Sequence, residues 1–278
     1  MSERERANHR HSGPAKRRPS VGQGVRCGMV VDAHVRIGRH REAALSVEAL
    51  LAAMDRTGVD RAVVAPSEAE IAYDNRAGNT ATTEAARATG GRLVAYAVAN
   101  PWRGTAAVGE LEWAFDHGAR ALAVDSALQG FDLLDGLVDP LVEFAAEHRW
   151  PVYVRTGTPP GHLPLPTAAL ARRFPEVAFV MGRSGATDFW IDAAPALRHA
   201  QNLYGDTSYA PWDTVLGEFA RDPEIGTSRL VFSTDQPYAT AVGEMRRMRD
   251  WPLPAAARAA VLGTTMAGLL GLEGEPGA

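Results

Sequence analysis

Three arginines near the ends of short apolar runs are the first residues of this 278-residue chain to suggest chemistry. Arg155 lies in VYVRTG (residues 152–157), Arg183 lies in VMGRSG (residues 180–185), and Arg36 lies just past a third run. A guanidinium has planar N–H donors and no acceptor, which suits bidentate binding of a carboxylate or phosphate. The pattern therefore predicts an anion-binding site, provided that the three runs end close together.

Acidic residues and a histidine end similar runs. Asp235 and Asp125 each end one, and His34 lies two residues before Arg36, so that both face the same side of an extended strand. Asp235 is the candidate general base and His34, held neutral by nearby cations, the candidate proton shuttle. Three arginines against these two aspartates leave one excess positive charge, with Asp32 as a less certain third acid. The expected ligand is a small anion.

The apolar runs alternate with helical patterns such as SVEALLAAMDRTG (residues 46–58), which predicts parallel βαβ units. The predicted strands cover residues 29–34, 61–66, 93–100, 120–125, 151–156, 177–182, 202–208 and 229–235. Eight such strands predict an α/β fold, one closed (β/α)8 TIM barrel over residues 29–272, with a doubly wound open sheet as the alternative. In such a barrel the polar residues meet at the carboxyl ends of the strands.

Composition excludes several classes of function. The net charge of -4 and the pI near 6.1 give no basic surface for nucleic acid or an anionic membrane. A single cysteine, Cys27, excludes an intrachain disulfide and a cysteine metal cluster, and no apolar run is long enough to span a bilayer. Residues 1–28 lack the apolar core of a secretory signal, so we expect a disordered extension and a cytoplasmic protein. Residues 273–278 are expected to form a disordered tail.

The order of the motifs resembles the amidohydrolase-related superfamily (amidohydrolase 2 type), which consists of metal-dependent (β/α)8 hydrolases and decarboxylases. VDAHVRIG (residues 31–38) resembles its first-strand motif Asp-x-His-x-His. Further similar segments follow in the family's order: AVANP (97–101), ALQGF (127–131), DPLVEFAAEHRWPVYVRTG (139–157), FPEVAFVMGRSG (174–185), NLYGDTS (202–208), VFSTDQP (231–237) and VLGTTMAGLLGL (261–272). The resemblance covers nearly all of residues 29–272.

The chain departs from the family at the metal ligands. The family's second histidine of strand one falls on Arg36, the strand-five histidine on Arg155 and the strand-six histidine on Arg183, whereas His34 and Asp235 remain. Guanidinium has no lone pair to offer a divalent cation, so we expect no catalytic metal and no cofactor.

The resemblance and the arginines together imply a metal-independent hydrolase of a small carboxylate-bearing substrate, a lactone or a related ester or amide. Family members without a metal include lactonases. Two alternatives stay open. The first is a non-catalytic anion-binding pseudoenzyme, in which Arg36 or Arg183 locks Asp235 in a structural salt bridge. The second is a metal-free decarboxylase or a cyclase of a biosynthetic pathway. A homodimer is a further expectation that the resemblance implies.

Some loop residues are further candidates for substrate contact. His162 could overhang the mouth from the loop at residues 157–166, and Trp190, with Trp212 and Tyr238, could form an aromatic wall. Surface positions are expected for four other histidines: His40, His117, His148 and His199.

Overall fold

The structure is a computed structural model and describes residues 28–157, 163–185 and 188–272. Eight parallel strands form one sheet in which each strand pairs with the next along the chain. The strands are β1 (Val31–Arg36), β2 (Arg61–Ala65), β3 (Leu93–Ala97), β4 (Ala121–Val124), β5 (Val152–Arg155), β6 (Phe179–Gly182), β7 (Leu203–Asp206) and β8 (Leu230–Val231). The sheet is a nearly closed (β/α)8 TIM barrel, which confirms the predicted fold.

Backbone hydrogen bonds bring the last strand next to the first. Ala33 N–H donates to Phe232 O over 2.8 Å, and Arg36 N–H donates to Gln236 O over 2.8 Å. β8 itself ends at Val231 and is much shorter than the predicted run of residues 229–235. The predicted first strand is also displaced, since β1 extends to Arg36 and so includes this arginine.

Helices surround the barrel. They are α1 (Val47–Thr57), α2 (Glu68–Ala72), α3 (Asn75–Ala88), α4 (Thr105–Asp116), α5 (Ser126–Gln129), α6 (Asp139–Glu147), α7 (Pro164–Arg173), α8 (Ala193–His199), α9 (Gly217–Arg221), α10 (Ala241–Asp250), α11 (Ala255–Ala259) and α12 (Thr265–Leu269). Local sequence sets their ends: Ser46 Oγ accepts from Ala49 N–H at the start of α1, and Gly58 ends it with φ 81°. In the parts of the chain that the structure describes, no helix has both the length and the apolar character needed to cross a membrane.

Alternation along the strands divides the core into two layers. Ala62, Val64, Val152 and Val154 belong to the layer that packs against the helices, and the residues between them belong to the interior of the barrel. The interior layer holds Val63, Ala65, Val94, Tyr96, Ala121, Ala123, Tyr153 and Val180. Tyr153 and Arg155 on β5 therefore point inward together.

A small antiparallel hairpin, Gly38–Arg39 paired with Ala44–Leu45, follows β1 at the carboxyl ends of the strands. We call residues 38–45 the rim hairpin. The predictions for residues 1–28 and 273–278 concern chain ends that, apart from Gly28, lie outside the described residues.

Candidate active site

The carboxyl ends of β1 and β4 position the first ion pair. Arg36 Nη2 donates to Asp125 Oδ2 over 2.7 Å, and both side chains are almost completely buried. Asp125 Oδ1 also accepts from Leu128 N–H, which caps α5. Asp125 was predicted to contact substrate. In the structure its carboxylate binds Arg36, which was also predicted to contact substrate.

A second ion pair joins the ends of β6 and β8. Arg183 donates through Nε (2.9 Å) and Nη2 (2.6 Å) to Asp235 Oδ2, and Asp235 is 1% exposed. The guanidinium carbon of Arg183 also lies 4.7 Å from the ring centre of Tyr209. Tyr209 was not among the predicted site residues, because it lies three residues beyond the end of β7.

The backbone of this second pair is strained. Arg183 (φ 60°), Ser184 (φ 47°), Tyr209 (φ 62°) and Asp235 (φ 49°) all have left-handed conformations that side chains other than glycine rarely adopt. Such conformations cost about 1–3 kcal/mol each and concentrate at functional sites, where the surrounding structure maintains them. Four of them at adjacent strand ends favour a functional site over one that has merely decayed.

His34 connects β1 to the second ion pair. Its Nδ1 lies 3.2 Å from Asp235 Oδ1, and the side chain is 1% exposed. Burial alone would raise the pKa of Asp235, but the hydrogen bond from His34 and the charge of Arg183 outweigh it and lower the pKa. An ionised carboxylate only accepts, so Nδ1 carries the proton and the Nε2 lone pair is available as a base. Burial lowers the pKa of His34 to about 4, although the hydrogen bond to Asp235 opposes this, so the imidazole is neutral at pH 7.

Arg36 has donors left over. Its Nε and Nη1 atoms are buried and make no hydrogen bond within the described part of the chain. Burial would lower the pKa of Arg36, but the charges of Asp125 and Asp235 outweigh it, so the group stays a cation. Buried polar groups in folded proteins almost always have a partner, and an unsatisfied one costs about 1–3 kcal/mol. These donors indicate a place where an acceptor is to be bound.

Arg155 completes the arginine cluster, by which we mean Arg36, Arg155 and Arg183. Burial is the main cause of the lowered pKa of Arg155. The charge of Asp125 opposes this shift, and the charges of Arg183 and Arg36 lower the pKa further. Arg155 therefore lies within the electrostatic field of both ion pairs. The structure thus brings together six of the eight predicted site residues: His34, Arg36, Asp125, Arg155, Arg183 and Asp235.

Of the other two predicted substrate contacts, Trp190 and His162, the structure describes only Trp190. Trp190 lies beyond β6 and is 45% exposed, and nothing in the described structure places it against the arginine cluster. His162 lies outside the described residues. Of the other expected wall residues, Tyr238 lies 5.6 Å from the Arg183 guanidinium carbon and donates to Glu68 Oε1 over 2.6 Å.

Two further expectations were wrong. Asp32 was considered as a third acid facing the arginines, but its carboxylate accepts from Thr234 N–H (2.9 Å) and Thr234 Oγ1 (2.5 Å). Burial raises the pKa of Asp32 to about 7, so it is only partly ionised at neutral pH. His40 was expected on the surface, yet it is 6% exposed, because the rim hairpin packs it edge-on against Tyr238 at 5.7 Å.

Comparison with known proteins places this geometry in a family. The Amidohydrolase family model matches residues 35–272. The chain belongs to the amidohydrolase family. This assignment confirms the resemblance of the sequence motifs, and a search of curated proteins finds no match.

Solved structures share the fold at low identity. The chain is similar to the 5-carboxyvanillate decarboxylase of Novosphingobium aromaticivorans DSM 12444, solved with manganese and 4-hydroxy-3-methoxy-5-nitrobenzoic acid (TM-score 0.72, 16% identity, 88% of this chain and 96% of that chain covered). It is also similar to the 2,6-dihydroxybenzoate decarboxylase of Rhizobium (TM-score 0.70, 18% identity, 89% and 100% covered). At these identities the likeness shows the fold alone.

The residues present here do not fit a divalent metal such as the manganese of that relative. Metal sites need imidazole, carboxylate or thiolate lone pairs, and the arginine cluster offers only N–H donors. Asp235 Oδ2 already accepts two hydrogen bonds from Arg183, and His34 Nδ1 is turned to Asp235 Oδ1. Among the described residues, no group of three or more His, Cys, Asp or Glu side chains is placed to hold a metal ion.

Proposed function

We propose that this protein is a metal-independent hydrolase of small carboxylate-bearing lactones or related esters and amides. The observation that carries the proposal is the buried guanidinium of Arg36, whose Nε and Nη1 donors have no partner among the described residues, beside a neutral His34 oriented by Asp235. The first feature supports binding of a carboxylate, and the second supports removal of a proton from water.

The charges favour a substrate with one carboxylate. The three positive charges of the arginine cluster exceed the two negative charges of Asp125 and Asp235, so these five groups together carry a net positive charge that attracts an anion. A guanidinium binds a carboxylate through two parallel N–H···O bonds, so Arg36 and Arg155 are suited both to hold the substrate and to stabilise an oxyanion. Arg183 is less available, because Asp235 already accepts from its Nε and Nη2.

The proton moves through His34 in the proposed reaction. A water oxygen forms a bond to the acyl carbon while its proton passes to His34 Nε2, and the carbonyl oxygen becomes an oxyanion held by arginine. The oxyanion collapses, the acyl C–O bond of the lactone breaks, and the imidazolium returns its proton to the leaving oxygen. The product is a hydroxy acid. Asp235 thus acts as the partner that stabilises the imidazolium, instead of as the base first predicted, because its own pKa is lowered.

Decarboxylation is the second candidate, because the similar solved structures include decarboxylases. Loss of CO2 leaves a carbanion that must gain a proton from an acid. His34, with a pKa of about 4, and Asp235, with a lowered pKa, both lack the spare proton of an acid at neutral pH. This protonation state favours hydrolysis. A weakly basic imidazole also favours activated substrates such as lactones.

A ligand screen followed by turnover assays tests the proposal. The full chain is treated with a chelator and heated with lactones bearing a carboxylate, with hydroxybenzoates and with inorganic phosphate. We expect carboxylate-bearing lactones to raise the melting temperature and to be hydrolysed, with acid release and no CO2. Activity that disappears with the chelator and returns with manganese would refute the metal-independent reaction, and CO2 release would establish decarboxylation. Binding without turnover would indicate the pseudoenzyme.

A further inference from the structure

Tyr153 covers one face of the proposed base. Its ring is stacked on the imidazole of His34 with ring centres 4.0 Å apart and planes 2° from parallel. The Asp235 carboxylate holds the edge of the same imidazole at Nδ1. The hydrogen bond to Asp235 fixes the position of Nδ1, and the stacked ring of Tyr153 fixes the plane of the imidazole. Together they determine the direction in which Nε2 points.

Gly182 on the neighbouring strand β6 and Asp206 on the next strand, β7, hold Tyr153 itself. Its hydroxyl donates to Asp206 Oδ2 over 3.2 Å, and Asp206 Oδ1 accepts from Ser208 N–H over 2.6 Å. Gly182, at the end of β6, provides the space: a Cβ atom there would lie 2.2 Å from the tyrosine hydroxyl oxygen and 2.3 Å from Cζ. Since real Cβ atoms do not approach other atoms so closely, any side chain at residue 182 would displace the ring of Tyr153.

We infer that Tyr153 is a positioning residue for the proton transfer, fixed by Asp206 and accommodated by Gly182, and that it acts by holding the plane of His34. The inference rests on the proposed function in one respect, namely that His34 moves the proton. The packing of the Tyr153 ring against His34 and Gly182 stands without it. The sequence contains the signal for an inward tyrosine, because Tyr153 lies two residues before Arg155 on the same strand.

Two substitutions of Tyr153 separate the ring from the hydroxyl. Tyr153→Phe keeps the stacked ring but loses the hydrogen bond to Asp206, so it should retain more of the turnover than a variant without the ring. Tyr153→Leu removes the ring and should lower kcat by roughly tenfold or more, because even a small displacement of a catalytic base slows the reaction strongly. KM should change little, since the arginine cluster still binds the carboxylate. Equal kcat in wild type and a folded Tyr153→Leu variant would overturn the inference.

A spectroscopic readout keeps the test independent of turnover. Nitrogen NMR of the full chain, with His34 assigned by comparison with His34→Gln, reports whether its proton resides on Nδ1. We expect a single Nδ1–H form in wild type and Tyr153→Phe, and a mixture of forms in Tyr153→Leu. Tyr96→Leu is the matched control, because Tyr96 is equally buried but lies 6.1 Å from His34 at an angle of 52°. The same mixture in Tyr96→Leu would attribute the effect to general packing and overturn the inference.

Gly182→Ala provides a second route that leaves Tyr153 unchanged. The added methyl group should lower the melting temperature and give the same His34 spectrum as Tyr153→Leu. The double variant Gly182→Ala/Tyr153→Leu should recover part of the lost melting temperature, because the smaller side chain vacates the space that the methyl group needs. Additive losses in the double variant would show that the two residues do not interact. If no substrate is hydrolysed by wild type, the proposed function fails, and these spectra still decide the role of Tyr153.

Discussion

At the scale of single residues, the two ion pairs of the candidate active site differ in how many of their arginine N–H donors have a partner. Arg183 is satisfied by Asp235, whereas Arg36 donates to Asp125 and retains two buried donors without a partner in the described chain. A buried pair kept only for structure would gain by satisfying all its donors, since each unmet one costs about 1–3 kcal/mol. The unequal pairing therefore supports ligand binding by Arg36, and a locking role for the Arg183–Asp235 pair.

Replacing Asp235 separates proton transfer from binding. Asn tolerates the left-handed backbone at this position, so Asp235→Asn should fold. The variant loses the carboxylate that orients His34, and kcat should fall by about 10²–10⁴-fold, as expected for loss of a general-base system. Binding of a non-hydrolysed carboxylate, measured by calorimetry, should persist, because the arginine cluster is intact.

The matched control for Asp235→Asn is Asp222→Asn, which breaks an ion pair with Arg198 on the protein surface. That variant should keep the wild-type kcat. Wild-type turnover in Asp235→Asn would remove both Asp235 and its bond to His34 from the mechanism.

Arg155 is predicted to contribute to binding more than to stability. Arg155→Met should weaken the affinity for a carboxylate ligand by about 1.5–3 kcal/mol, the usual contribution of a hydrogen bond to a charged group. Its folding stability should be unchanged or higher, because the substitution removes the cost of burying a charged guanidinium, which is the main cause of the lowered pKa of Arg155. Calorimetry and urea unfolding measure the two quantities, with Arg87→Met, on the surface, as the control. Undiminished affinity would exclude Arg155 from the site.

At the scale of elements, the rim hairpin packs against Tyr238, whose ring centre lies 5.6 Å from the Arg183 guanidinium carbon. His40 in this hairpin is buried, and it packs against Tyr238. Burial lowers the pKa of His40, and the charge of Arg36 lowers it further, so it adds little positive charge. Arg36, Asp125 and Asp235 are all nearly inaccessible in this arrangement. Arg155 and Arg183 are only partly buried, so it is Arg36, at 2% exposure, that a ligand can reach only when neighbouring side chains move.

His40→Ala should accelerate ligand entry. Removing the imidazole eliminates its packing against Tyr238, so we expect the association rate constant of a carboxylate ligand to rise severalfold, as measured by stopped-flow tryptophan fluorescence. His117→Ala, on the exposed surface next to α4, is the control and should leave the rate unchanged. An unchanged rate in His40→Ala would place the entry route elsewhere.

The sequence was sufficient to predict the barrel and the grouping of six polar side chains at its strand ends, but not the contacts that cross the barrel. Apolar runs ending in Arg155, Arg183 and Asp125 are local patterns, and the parallel fold brings their ends together. Asp32 was interpreted wrongly because its partner, Thr234, is distant in sequence and becomes a neighbour only when the barrel closes. His40 was misplaced for the same reason, since its burial depends on Tyr238.

At the scale of the whole molecule, the barrel has two polar levels. The upper level is the arginine cluster with its aspartates. The lower level contains two buried carboxyl groups, Asp32 and Asp206, together with the hydroxyl of Tyr153. Burial raises the pKa of Asp206 to about 6 and that of Asp32 to about 7. Stability should therefore depend on pH through the barrel interior as well as through the surface.

Asp32 should make the protein less stable as pH rises. Its pKa is about 7 in the folded chain and 3.8 ordinarily, so between these values the folded state holds a proton that the unfolded state releases. Its contribution to stability is fully present below about pH 4 and is lost as pH rises through 7. His34 acts in the opposite direction between pH 4 and 6.5, because burial disfavours its charged form.

Asp32→Asn isolates the first of these effects. Asparagine can still accept from Thr234 N–H, but it does not titrate, so the unfolding free energy of the variant relative to wild type should increase with pH between about 4 and 7. The increase should be on the order of 1 kcal/mol per pH unit, which is the free energy that corresponds to one unit of pKa difference. Urea unfolding at pH 4.5, 6 and 7.5 measures it, and Asp55→Asn, in a largely exposed pair with Arg92, should follow the wild-type curve. Parallel curves for wild type and Asp32→Asn would show that the carboxyl group of Asp32 is not the source of the dependence, because the imidazole of His34 is present in both proteins and cancels from the difference.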